Sequence, residues 1–582
     1  MSRHSLNLES YQKLIQVSLR EEPANIWLKN VQFLNVYLGK IERKNIVISG
    51  QRIAYVGDKE PLASRHTEII ELNEKQIIVP GYIEPHGHPF QLYNPITWSD
   101  FLLSGGTTTS INDNLFFFTM LGVDKSIKFI EELNRTSELL HLWWARFDDQ
   151  TEANEIGTKR TFSFNEGYLG RWLDHPLVIQ GGEFTSWSRF LKGDMDLAKL
   201  MLMTKQQYGK RIEGHLPGAS LDTLNAMAAS GVGADHESIN GEDVLNRLSI
   251  GMYAALRHSS IRPDLPKILT YLIQEPNLNK SLLMLTSDGS HPFFLNQTGI
   301  DKMIKIMLDY GFNVIDVYRI ATLNPATYYG LDQNIGSISP GRLAHLNVLE
   351  DLSKPTPLHV MVGGKWAIRN NTLLNKQGQS GDWLKSYFYK ERIHPNINET
   401  HLSQGEGHTG IRFVNAVITV PYKYQPTQPL DEGELYLSLL DQQGKWVLNT
   451  RMKGFSSKLL ALASSYTASK DYVLIGKNRD YMLKAFQEML DLNGGIVAYF
   501  EDQECIKIPL PLSGGMSLEP LETVIKQTTF FVKKMNESGY RFKDPFFTLF
   551  FLTTTHLPNV RLTYDGLYLI KEEQIITPVS KL

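Results

Sequence analysis

From about Ile26 to Ile78 apolar and polar residues alternate in short runs, IWLKNVQFLNV, KNIVISGQRIAYVG and EIIELNEKQIIV. A period of two is the pattern of half-buried strands, and Gly50-Gln51-Arg52 falls at a turn between two of them. After Pro80 the pattern changes. From there to about Gly330, short apolar runs alternate with amphipathic helical stretches, the signature of βα units around a parallel sheet. Roughly 250 residues is the usual size of an eightfold barrel of such units. Beyond Gly336, GSISPGRLAHLNVLEDL and HVMVGGKWAI return to strand-like alternation. The pattern therefore predicts an α/β protein: a TIM-like (β/α)8 barrel over residues 80–335, and a β-sandwich-like module split between residues 1–79 and 336–375. The polar stretch 376–410 reads as a linker, and 411–582 as a separate C-terminal α/β domain.

Composition narrows the chemistry. A chain of 582 residues is too long for one core and suggests two to four structural units. With 42% hydrophobic and 21% charged residues and a formal charge of -3, neither basic nor acidic blocks point to nucleic acid or a membrane surface. Cys505 is the single cysteine, so disulfides within the chain are impossible and a thiolate zinc site lacks ligands. Any metal site must draw on the 16 histidines and on carboxylates. The opening MSRHSLNLESYQKLIQ has no apolar signal-peptide core, and Pro545–Leu552 is far shorter than the ~20 residues of a membrane span. A cytoplasmic location is expected.

The strongest local motif is VPGYIEPHGHPF, in which an apolar strand is followed by His86 and His88. Residues i and i+2 of an extended strand project to the same face, so these imidazoles can share one metal. Four further residues close apolar or Gly-flanked segments, where a barrel places its active-site loops. They are Glu183 (LVIQGGEF), His215 (YGKRIEGH), His236 (GVGADHES) and Asp288 (SLLMLTSDGS). Singly, each has an ordinary reading; Asp288 before Gly-Ser could be a helix N-cap, and a lone histidine is often structural. Their succession on consecutive βα units argues for one shared site.

That order resembles the amidohydrolase superfamily, and its adenine deaminase branch in particular. The opening ESYQKLIQVSLREEPANIWLKN, GQRIAYVG, VPGYIEPHGH, SGGTTTS, GHLPG, ADHES, SDGSHP, LNPATYYGL, IPLPLSGGMS and the tail FFLTTTHLPNVRLTYDGLYLI stand in the family's order. The resemblance implies that His86, His88 and Asp288 hold one metal, His215 and His236 a second, and Glu183 bridges them. It implies two divalent ions, Mn, Fe or Zn with Mn favoured, that lower the pKa of a bound water. It further implies attack of a metal-bridging hydroxide at C6 of adenine, giving hypoxanthine and ammonia, with Asp288 as acid/base. Glu237, next to His236, is the candidate proton donor to the purine ring, with a solvated helix-start glutamate as the alternative. Phe90 and Trp187 could stack on a flat base, though core packing suits either.

Three positions depart from the family pattern. Pro89-Phe90 follow His88 where a glutamate is usual, Asp113-Asn114-Leu115-Phe116 replace an Asp-Pro-His-Glu phrase, and SSYTASKDYVLIG replaces a histidine-bearing one. The metal ligands survive these changes, so an intact hydrolytic centre beside an altered pocket is expected. An amidohydrolase acting on another heterocycle or a cyclic amide, and a purine-binding paralogue without turnover, are the competing readings. A small-molecule purine is the expected partner, with a homo-oligomer left open.

Overall fold

The computed structural model describes residues 6–146, 165–375 and 381–582. Eight parallel strands form the barrel, in spatial order equal to chain order. They are Tyr82–Gly87, Thr107–Asp113, Leu140–Ala145, Val178–Phe184, Arg211–Gly214, Ala234–Asp235, Tyr253–Arg257 and Leu283–Thr286. The first and eighth strands lie in contact, so the barrel is nearly closed. Each strand is followed by helix. Leu265–Leu272 shows why: Leu265, Ile268, Leu269 and Leu272 recur at helical spacing and are all buried against the barrel.

The barrel grows out of a nine-stranded sheet without a loop. Strand Ile77–Pro80 belongs to that sheet and Tyr82–Gly87 to the barrel, with only Gly81 between them. A Cβ on Gly81 would stand 2.2 Å from Thr108 Oγ1, so no other residue fits where the two sheets part. In the nine-stranded sheet Leu346–Leu349 pairs antiparallel with Ile77–Pro80, placing Val348 opposite Ile78. The N-terminal strands and those after the barrel thus share one sheet. Ile26, Leu28, Ile46, Ile48, Ile78, Leu346 and Val348 fill its apolar face.

The polar stretch expected as a linker carries the helix Gly381–Phe388. Its Leu384 and Phe388 are buried, and Trp383 stacks on Phe129 of the barrel helix Leu115–Thr136 at 5.6 Å. This segment is anchored to the barrel by an apolar stripe hidden in a polar composition.

The C-terminal part is built on a second nine-stranded sheet, running from Thr419–Lys423 at one edge to Cys505–Pro509 at the other, and a three-stranded meander from Val560 to Pro578. The apolar run after Asp544 is the buried helix Pro545–Phe551, capped by the Asp544 carboxylate. Among the described residues no helix is long and apolar enough to cross a membrane. The phrase IPLPLSGGMS folds onto the barrel. Ser517 N donates to Leu92 O at 2.8 Å, and Asn94 Nδ2 donates to Ser517 O at 2.8 Å, fastening the C-terminal part to the segment just after His88.

Candidate metal centre

The six residues singled out from the sequence meet at one rim of the barrel. His86 is the fifth residue of the first strand and His88 follows it; Glu183 lies near the end of the fourth. His215 and His236 come directly after the fifth and sixth strands, and Asp288 two residues after the eighth. Distances are short throughout. His86 Nε2 is 3.1 Å from His88 Nε2, 3.5 Å from Asp288 Oδ1 and 3.9 Å from Glu183 Oε2. Glu183 Oε1 is 2.6 Å from His215 Nδ1 and 3.6 Å from His236 Nε2. Three overlapping groups satisfy the spacing of metal ligands: His86, His236 and Asp288; His86, His88 and Glu183; Glu183, His215 and His236.

Burial gives this cluster its character. His86 and His236 are 0% and 1% exposed and Glu183 3%. Burial alone would push the carboxyls up. Instead His215, Arg146 and His236 hold Glu183 well below the usual carboxylate range, as Arg257, His88 and His236 hold Asp288. His88 and His236 move the other way. Burial opposes their charge, yet Asp113 and Asp288 raise His88 to about 10, and Glu213, Asp288 and Glu183 raise His236 to about 10.

The outward nitrogens decide what the inward ones can do. His88 Nδ1 faces Asp113 Oδ2 at 3.1 Å, and the Nδ1 atoms of His86 and His236 each lie 3.1 Å from Glu213 Oε1. With Nδ1 engaged by carboxylates, the three Nε2 atoms are the ones turned inward, and each offers a lone pair to a cation once its proton is released. His236 Nε2 is buried and finds no hydrogen-bond partner among the described residues, while His215 turns its Nδ1 to Glu183 Oε1. An orphaned imidazole nitrogen on His236, with the other imidazoles converging on two ionised carboxylates, forms a donor set that fits divalent cations of the Mn, Fe or Zn type.

Sequence comparison agrees with this geometry. The profile described as "Amidohydrolase family" matches residues 77–367, the barrel and the sheet strands flanking it. A protein of Halalkalibacterium halodurans, provisionally named an adenine deaminase, is 40% identical over 561 residues, 95% of this chain and 94% of that one. The chain belongs to the amidohydrolase family. Its C-terminal part matches the profile "Adenine deaminase C-terminal domain" over residues 415–574. Another relative carrying the same provisional name, from Bacillus subtilis, is 38% identical over 99% of both chains. The protein named adenine deaminase from Kosmotoga olearia is 28% identical over 95% of this chain and 96% of its own.

This amidohydrolase surrounds its centre with residues the motif reading did not single out. Arg257, ending the seventh strand, contacts Glu237 Oε1 at 2.5 Å and Asp288 Oδ2 at 2.8 Å, and Arg262 contacts Glu237 Oε2 at 2.7 Å. Glu237, proposed from sequence as a proton donor, is therefore buried between two guanidiniums that favour its ionised form. Arg146 reaches Glu183 Oε2 at 2.8 Å, and the Trp144 indole stacks on His86 at 4.5 Å. Arg257 and Arg146 end apolar runs just as Glu183 does, so the signal that pointed to the candidate ligands also points to them.

The departures from the family pattern have structural partners. Phe90 stacks on Phe116 at 5.3 Å and meets Phe117 edge-on, while Trp187 is half-buried against the apolar core. Asp113, opening the second departing phrase, holds His88. Tyr466, within SSYTASK, lies 2.9 Å from His291 Nε2 and donates to Gln91 Oε1; His291 Nδ1 lies 2.8 Å from Asp544 Oδ2. The C-terminal part also brings His556 edge-on to His215 at 5.9 Å. Burial pushes the His556 imidazole down to about 3, so it stands neutral beside the centre.

Proposed function

We propose that this chain is a metal-dependent aminohydrolase that converts adenine and water to hypoxanthine and ammonia. The observation that carries the reading is the convergence of four imidazoles, Glu183 and Asp288 within one buried rim. The C-terminal match supports the substrate assignment. His86, His88 and Asp288 would hold one divalent ion, His215 and His236 a second, with Glu183 between them. Manganese is the favoured metal. Such ions lower the pKa of water toward neutrality and offset the buried carboxylates.

The chain's own groups then manage protons. Arg257 fixes Asp288 through Oδ2, leaving Oδ1 toward the His86 and His88 nitrogens at 3.5 Å. Asp288 takes the proton of the water that adds at C6 and returns it to the departing amine. Glu237, held ionised by Arg257 and Arg262, accepts a ring N–H; it can donate to the ring only after taking up a proton. His556, neutral and edge-on to His215, has one donor and one acceptor nitrogen to offer a heterocycle.

The stacked Phe90 and Phe116 rings beside His88 favour one alternative, an amidohydrolase acting on another heterocycle or a cyclic amide. One assay separates them. The manganese-loaded protein is expected to release hypoxanthine and ammonia from adenine in equal amounts. A metal-loaded chain that leaves adenine intact but opens cyclic amides would transfer the assignment to the alternative.

A further inference from the structure

Glu213 stands on the fifth strand, two residues before His215, and is 1% exposed. Its Oε1 lies 3.1 Å from His86 Nδ1 and 3.1 Å from His236 Nδ1. Its Oε2 accepts from Gln180 Nε2 at 2.9 Å, which fixes the plane of the carboxylate. The two rings it serves come from the first and sixth strands, and their centroids are 4.0 Å apart. On the functional reading they belong to different ions. The neighbouring carboxylates serve one ion each: Asp113 faces His88, and Glu237 Oε1 lies 3.4 Å from His215 Nδ1 and 3.6 Å from His236 Nε2, two rings assigned to the same ion.

We infer that Glu213 is a positioning residue common to both halves of the metal centre. The inference rests on the two-metal reading and adds a dependence that the ligand set does not contain. A carboxylate oxygen accepting from Nδ1 selects the tautomer whose Nε2 carries the lone pair, and it fixes the ring's rotation about Cβ–Cγ. One oxygen serving two rings makes those two settings a single setting. Tilting His86 to follow a displaced Glu213 also tilts His236, so the two ions are gained and lost together. Asp113 acts on His88 alone, and its removal should disturb only one ion.

The test compares manganese content and affinity in Glu213→Gln, Glu213→Ala and Asp113→Ala, each checked for folding by circular dichroism. Wild type is expected to hold two ions. Loss of an outer carboxylate commonly weakens a site about 10–100-fold. For Glu213→Ala that loss should fall on both ions in parallel, and for Asp113→Ala on one. Glu213→Gln keeps an acceptor oxygen and should sit between Glu213→Ala and wild type, which a general packing defect would not produce. If Glu213→Ala fails to fold, Glu213→Gln still decides, since it too must weaken both ions together. In cobalt-substituted protein both ligand-field bands should shift in Glu213→Gln and one in Asp113→Ala. Glu213 variants that keep two ions at wild-type affinity, or lose only one, overturn the inference. A folded wild type that binds no divalent metal would instead sink the functional reading itself.

Discussion

Glu84 Oε1 accepts the Thr286 hydroxyl at 2.7 Å, joining the first barrel strand to the eighth across 202 residues. The same carboxylate takes Ser287 N at 3.0 Å, Ser287 Oγ at 2.7 Å and the main-chain N–H of His86 at 3.1 Å. It thus closes the barrel at the point where His86 and Asp288 must face each other. Glu84→Ala leaves several buried donors without an acceptor, each costing about 1–3 kcal/mol. Urea unfolding should show a loss of about 3 kcal/mol or more, and Glu84→Gln a smaller one. An alanine variant within about 1 kcal/mol of wild type would deny the staple its role.

Asp288 has φ of +45°, a left-handed setting that asparagine tolerates better than most side chains. Asp288→Asn therefore keeps the backbone and the contact to Arg257 while removing the proton acceptor. Turnover should fall about 100-fold or more, with the melting temperature little changed. Turnover near the wild-type rate would remove Asp288 from the proposed chemistry.

His141 is fully buried, with Nε2 2.9 Å from Ser99 Oγ, and burial lowers its pKa to about 3. In the unfolded chain the group titrates near ~6.5. Between those values the unfolded chain binds a proton that the folded chain does not, so stability present above ~6.5 is lost as pH falls. The slope reaches at most about 1.4 kcal/mol per pH unit. His141→Asn lacks this component, so its stability gap to wild type should shrink by roughly 2 kcal/mol between about pH 7 and pH 5. A gap that stays constant over that range would contradict the buried neutral imidazole.

Phe90 packs on Phe116, Phe117 and the edge of His88 and is 8% exposed. Packing predicts that Phe90→Ala costs about 3–5 kcal/mol of stability. Base stacking would instead appear as a raised KM for adenine with little change in stability. Chemical unfolding and steady-state kinetics on the same variant distinguish the two.

The barrel and the six converging side chains were legible because each candidate ligand lies at the end of an apolar strand or just beyond it, so position and chemistry coincide in one short run. Their supporting partners were not. Glu213 precedes His215 by two residues, yet nothing local says that it faces His86, 127 residues away. That contact follows from strand order and closure around the barrel. The same holds for His291 and Asp544, 253 residues apart. The helix Gly381–Phe388 is not legible in the sequence because its few apolar positions sit in a polar segment, and only the apolar stripe around Phe129 of the barrel helix Leu115–Thr136 gives them something to cover. Glu237 shows the converse limit. Its place after His236 was plain, whereas its pairing with Arg257 and Arg262 depends on the seventh strand and the loop beyond it.

The most direct test of the two-metal centre is a titration of the chelator-stripped protein with manganese, following ions bound per chain and ammonia released from adenine together. Activity is predicted to be absent without metal and to reach its maximum as the second ion binds. A folded chain that releases ammonia at full rate without metal, or that saturates with a single ion at full activity, would contradict the account.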